Sequence, residues 1–105
     1  MSALMAEPGQ TVVLRGRVDV STVANVRHIL HDAVDLGIGE LLVDVSGVEM
    51  LDATGLGVLV GTHRRALQSG RRLVLCNVPP RLSRLLFRTR LHRVLQMRAA
   101  PVAVG

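Results

Sequence analysis

The stretch ELLVDVSGVEMLDATGLGVLVG (residues 40–61) changes its period half-way along. Residues 40–45 are a short apolar run bounded by turn signals, which predicts a buried strand. Residues 46–51, SGVEML, predict a loop or bend that carries the chain to Asp52. From Ala53 the apolar spacing becomes three and four. Leu56, Leu59, Val60, His63 and Leu67 then share one helical face, and Gly70 ends the helix. Asp52 is placed to cap that helix, whose first N–H groups lack partners. Glycine inside a helix costs about 1 kcal/mol relative to alanine, yet Gly55, Gly57 and Gly61 all fall within its first turns. Gly57 and Gly61 are four apart and share a face. That face serves close approach either to the sheet or to a partner.

Outward from this stretch, strands and helices alternate. TVVLRGRVD (11–19) is β-branched and apolar and predicts a strand. Ser21 is placed to cap a following helix, in which Val23, Val26, Leu30, Ala33 and Val34 form the apolar face and Gly37 the stop. RRLVLCNV (71–78) predicts a further strand. Pro79 and Pro80 open a short helix with Leu82, Leu85 and Leu86 on its apolar face and Arg81, Arg84 and Arg88 on another. RVLQM (93–97) predicts a last short strand, residues 99–105 a tail, and Ala3–Met5 a short edge strand. The order is that of an α/β domain, with a small, mixed, mostly parallel sheet and helices packed against it. At 105 residues the chain is one domain over 1–105, with its core at about 11–97.

Composition excludes several function classes. Apolar residues make up 49 % of the chain, with one Phe and neither Tyr nor Trp. The core is therefore aliphatic, and a base-stacking nucleic-acid surface is disfavoured. All 13 basic residues are Arg. Residues 1–52 hold eight acids and three Arg, whereas residues 53–105 hold ten Arg and no acid. A basic half suits an acidic partner, an anionic membrane or nucleic acid, unless the two halves neutralise each other locally. Cys76 has no internal partner and reads as a buried, hydrophobe-like thiol. No apolar run approaches the roughly 18 residues of a membrane span, and the N-terminus lacks the pattern of a signal peptide. A cytoplasmic protein without membrane insertion is expected.

Motifs for chemistry are missing. Gly55, Gly57 and Gly61 run G-x-G-x-x-x-G and miss the dinucleotide fingerprint at Val60, and a P-loop needs a Lys that the chain lacks. His28 and His31 read as solvated helix histidines, and His63 as a packed or edge histidine. No acid–His cluster has a zinc-like spacing. No nucleophile elbow is present. Neither metal nor cofactor is expected, and no catalytic residue is nominated. A small α/β enzyme with an unrecognised site would need a clean ligand pocket beside a perturbed titratable group.

LLVDVSGVEMLDATGLGVLV (41–60) resembles the signature of the STAS domain, as in anti-sigma factor antagonists. There an apolar strand and an Asp-x-Ser-like turn lead to Asp-Ser-[Ser/Thr]-Gly-Leu-Gly. LRGRVD (14–19) is similar to the family's earlier strand, and residues 71–95 to its later strand, helix and final strand. The resemblance covers most of residues 11–97. It implies a binding module rather than an enzyme. Family antagonists bind an anti-sigma factor of the histidine-kinase-like ATPase fold and so free a sigma factor. That kinase phosphorylates the Ser directly after the motif Asp, and the phosphate disrupts binding.

This chain departs at that residue. Asp52 matches the motif Asp, Thr54 the following Ser/Thr, and Gly55 and Leu56 the Gly-Leu, but the phosphoacceptor position is Ala53. The resemblance implies a partner-binding surface at Asp19, Val20, Ser21, Asp52, Ala53, Thr54, Gly55 and Leu56, with Thr54 and Gly55 letting the partner approach. It leaves three readings. The chain is an antagonist permanently competent to bind, or Thr54 replaces the acceptor, or the domain is an accessory subunit of an ABC-type lipid transporter or a signalling scaffold. Direct nucleic-acid binding is not expected. Homodimerisation through the first strand or the final segment stays open.

Overall fold

The computed structural model describes residues 2–7 and 9–98. In chain order the elements are β1 (Ser2–Glu7), β2 (Thr11–Val18), α1 (Val23–Leu36), β3 (Glu40–Leu51), α2 (Ala53–Gln68), β4 (Arg72–Cys76), α3 (Pro80–Arg88), a single 3-10 turn at Leu91–Arg93, and β5 (Gln96–Arg98). The sheet has the order β1-β2-β3-β4-β5. β1 is antiparallel to β2, and the remaining neighbours are parallel. The expected edge strand is present and longer than Ala3–Met5. The expected tail at 99–105 lies outside the described residues.

Each crossover advances one strand in the same direction, and right-handed crossovers of that kind place their helices on one face of the sheet. Burial follows. In β2, Val12, Leu14 and Val18 are buried whereas Arg15 and Arg17 are exposed. Val12, Val43 and Leu75 lie in register across three strands and are all fully buried. α1 adds Val26, Leu30, Ala33 and Val34, the face its spacing predicts. Val74 is also fully buried, but it is not part of this core cluster and points to the other face. Glu40 and Arg98 flank it on β3 and β5, and their 2.7 Å ion pair bridges across β4.

Four sequence expectations are corrected. Residues 46–51 are strand, not loop, because β3 continues through two irregularities. Val13 pairs with Asp44 and Arg15 with Gly47, so three steps on β3 match two on β2. Gly16 pairs with Val48 and Arg17 with Met50, a second extra residue. Each bulge breaks the period-two alternation by which strands are read. The Asp44 carboxylate accepts the Ser46 N–H at 2.9 Å and shapes the first bulge. The buried face of α2 is Gly55, Leu56, Val58, Leu59, Thr62 and Ala66, and Leu67 is exposed. Thr62 can be buried because its hydroxyl donates to the Val58 carbonyl at 2.8 Å. The final strand begins at Gln96, since residues 91–93 form the 3-10 turn. The strand at 71–78 is confined to Arg72–Cys76, and Cys76 at its end is half-buried, with burial pushing its thiol pKa up.

Arg71 leaves the strand for a structural reason. It is 3 % exposed and has no acid beside it. Its guanidinium donates to the carbonyls of Gly9, Ala33, Val34, Ile38, Gly39 and Glu40. Ala33 and Val34 belong to the last turn of α1, where carbonyls lack helical partners and the dipole is negative. The helix does stop before Gly37, as expected, but Gly37 is extended at φ −134° and does not form a left-handed cap. One buried cation closes α1 and ties it to the β1–β2 turn and the start of β3.

The charge asymmetry is partly resolved by pairing. Arg65 reaches Asp35 at 2.8 Å and Arg98 reaches Glu40 at 2.7 Å, each joining the basic half to the acidic half. Both pairs are solvent-accessible and screened, so they contribute little to stability. Among the described residues, Arg81, Arg84 and Arg88 of α3 are exposed and form no ion pair.

Candidate functional site

The residues singled out in the sequence lie at the C-terminal ends of β2 and β3. Asp52 caps α2 as expected: its Oδ1 accepts the Gly55 N–H at 2.9 Å, and its carbonyl accepts the Leu56 N–H. The Asp52 N–H also donates to the Val18 carbonyl at 3.4 Å, which joins the two strand ends.

Gly55 sets how close they come. A Cβ on Gly55 would stand 2.6 Å from the Val18 carbonyl oxygen and 2.6 Å from Leu51 Cδ1. The helix start therefore lies directly on the end of β2, which the Asp19–Ser21 turn follows. Gly55 is used for contact within the chain. Gly57 and Gly61 are the reverse case. Among the described residues nothing lies within 4 Å of a Cβ on either, so the sheet does not need them.

The Asp19 turn is a local hydrogen-bond unit. The carboxylate is nearly buried, at 9 % exposure for the residue, and accepts the Ser21 hydroxyl at 2.6 Å, the Ser21 N–H at 3.0 Å and Arg17 Nε at 3.2 Å. The Asp19 carbonyl accepts the N–H groups of Thr22 and Val23. Ser21 is thus not the N-cap of α1. That position is Thr22, whose hydroxyl accepts the Asp19 N–H instead of capping the helix. Ser21 binds Asp19 because a two-residue separation suits a turn closed by the carboxylate.

The Ser21 hydroxyl, opposed by burial and helped by Arg17, holds the Asp19 carboxyl below the usual carboxylate range. A depressed folded pKa stabilises the fold fully above the unfolded value of about 4. That stabilisation is lost as pH falls through the lower folded value. In Ser21→Ala the Asp19 titration, followed by carboxyl carbon NMR, is expected to move up and acid unfolding to begin at higher pH. An unmoved titration would remove Ser21 as the cause.

Of the eight residues, Val20, Ser21, Ala53 and Thr54 are exposed, Val20 by 74 %. Asp19, Gly55 and Leu56 are buried and Asp52 is half-buried, so they form the support rather than the surface. Leu56 belongs to the core, at 8 % exposure. Ala53, the first helical residue, carries no hydroxyl, and the adjacent Thr54 does. Among the described residues no group of three or more His, Cys, Asp or Glu could hold a metal. No described helix is long and apolar enough to cross a membrane.

The sequence profile of the STAS domain matches residues 5–102. This chain belongs to the STAS domain family. The domain is 32 % identical over 74 residues to the anti-sigma-B factor antagonist of Staphylococcus aureus, covering 70 % of this chain and 68 % of that one. Its fold is similar to that of an anti-sigma factor antagonist from Mycobacterium paratuberculosis, with a TM-score of 0.78 and 21 % identity over 91 % of this chain and 83 % of the other. It is likewise similar to the phosphorylated form of the Bacillus cell fate determinant SpoIIAA, with a TM-score of 0.71 and 19 % identity over 96 % and 91 % of the two chains. The expected small α/β STAS fold is therefore the observed one. What sequence reasoning missed at the site is the support: Val18, whose carbonyl meets α2, and Arg17 and Thr22, which hold the Asp19 turn. No local pattern marks Val18, which acts through a backbone contact set by the tertiary fold, whereas Arg17 and Thr22 reach Asp19 from two and three residues away.

Proposed function

We propose that this STAS domain is an anti-sigma factor antagonist that binds a kinase-type anti-sigma factor through the paired strand ends, and that it lacks the serine switch. The relatives named above are antagonists, which favours this reading over a transporter subunit. The observation that carries the site is the exposed face of α2 formed by Ala53, Thr54, Gly57 and Gly61. Ala53, Thr54 and Val20 are all exposed, and among the described residues nothing crowds a Cβ placed on Gly57 or Gly61. Each costs about 1 kcal/mol of helix propensity, and close approach of a partner backbone is a physical reason to retain both. A phosphate placed on this helix start would add close to two negative charges beside Asp52. Ala53 cannot accept one, so the surface stays in its binding-competent form.

The test mixes the protein with each kinase-like anti-sigma factor of the same cell, with ADP and with ATP. Calorimetry reads binding and intact mass reads phosphate transfer. Binding without a mass gain is the expected result. A gain abolished by Thr54→Ala would instead place the switch one residue along, and absence of binding to every candidate would overturn the antagonist reading. Asp52→Ala is expected to lose about 1 kcal/mol of stability from the missing cap and to weaken the complex at least about tenfold, or about 1.4 kcal/mol. Full-strength binding by the folded variant would show that the surface lies elsewhere.

A further inference from the structure

A second site lies at the opposite end of the sheet. Asp19 and Asp52 follow the C-terminal ends of β2 and β3, whereas Arg72 and Gln96 open β4 and β5. Between the latter two and the C-terminal half of α2 is an open cavity of about 340 Å³. His63, Arg72, His92 and Arg93 all line it, and among the described residues no carboxylate does. We infer that this cavity binds an oxyanion, a phosphate or carboxylate group carried by a small molecule.

The electrostatics favour an external anion over an internal one. Glu40 is the residue paired with Arg72 in the sheet, but its carboxylate is already held by Arg98 at 2.7 Å. Among the described residues Arg72 and Arg93 form no ion pair, so both guanidinium forks are free to bind an oxyanion in two-point fashion. The two histidines add ring N–H donors. In each, Nδ1 is shut off from solvent and has no hydrogen-bond partner. Nε2 is then the nitrogen left to meet a ligand, and the tautomer with its proton there is a donor. Phe87 stacks on the His92 ring with centroids 4.2 Å apart, which fixes the plane of that donor. Leu67 and Val94, both exposed hydrophobics, line the same cavity and suit an apolar body attached to the anionic group.

None of these residues belongs to the Asp52 surface, and the inference stands whether or not the antagonist reading holds. The test is titration of the full chain, labelled for NMR, with inorganic phosphate, acetate and chloride at constant ionic strength. Saturable shifts are expected at the ring resonances of His63 and His92 and the side chains of Arg72 and Arg93. Arg93→Gln is expected to weaken them at least about tenfold, whereas Arg90→Gln, outside the cavity, leaves them unchanged. Tighter binding of phosphate than of acetate assigns a phosphoryl ligand, and the reverse order a carboxylate. Shifts that never saturate, that chloride reproduces, or that the two variants weaken equally would overturn the site.

Discussion

Arg71→Leu is expected to destabilise the protein by about 3–5 kcal/mol, a large part of the 5–15 kcal/mol that holds a domain of this kind together. The side chain is buried and donates to six backbone carbonyls. Leucine fills part of the volume and supplies no donor. The carbonyls of Ala33 and Val34, bonded at 2.8 and 2.9 Å, would lose their guanidinium partner at the end of α1. Each buried group left unpaired costs about 1–3 kcal/mol, and access of water to the outer carbonyls keeps the total below the sum. Burial already lowers the Arg71 pKa, yet guanidinium stays charged throughout the accessible range. Arg71→Lys is expected to recover only part of the loss, since an ammonium has three donors against five. Urea denaturation of the two variants measures both effects. A loss below about 1 kcal/mol in the leucine variant would mean that the carbonyl cluster contributes little net stability.

Gly55→Ala is expected to be destabilising by about 1–3 kcal/mol, even though alanine favours the helix by about 1 kcal/mol. The added methyl would meet the Val18 carbonyl oxygen at 2.6 Å, and a backbone atom within a sheet cannot move cheaply. Relief requires α2 to tilt away from β2, which also moves Ala53 and Thr54 relative to the end of β2. Loss of stability and loss of partner binding should therefore appear together. Gly57→Ala and Gly61→Ala should carry the opposite sign. Among the described residues nothing lies within 4 Å of either new methyl, so each gains about 0.5–1 kcal/mol. Under the proposed function these more stable variants bind the anti-sigma factor more weakly. Thermal melts and calorimetry on the three variants separate the two roles, and three glycines of one helix that behaved alike would contradict both.

The sequence by itself determined those features whose physics is local. The face of α1 was legible because Val26, Leu30, Ala33 and Val34 repeat at helical spacing with polar residues between them. The Asp52 cap was legible because capping spans only three residues. The order of elements, and with it the α/β class, follows from the same short-range periodicities. The STAS pattern around Asp52 is local as well, and it pointed to the family before any contact was known.

The tertiary structure decided what depends on neighbours distant in sequence. α2 is apolar at Leu56, Val58, Leu59 and Val60, nearly all round, so its own pattern does not select between Val60 and Val58 as the inward side. Contact with the sheet and α1 does. Gly55, Gly57 and Gly61 are equivalent as letters, and only the Val18 carbonyl, 37 residues upstream of Gly55, makes the first of them obligatory. The bulges of β3 exist because β2 is there to pair with, and no alternation survives them to be read. Arg71 and Arg72 are adjacent and chemically identical, yet one is buried under six carbonyls and the other is exposed at the mouth of a cavity. A guanidinium takes its role from the groups that surround it in space, and those groups are brought together only when the chain folds.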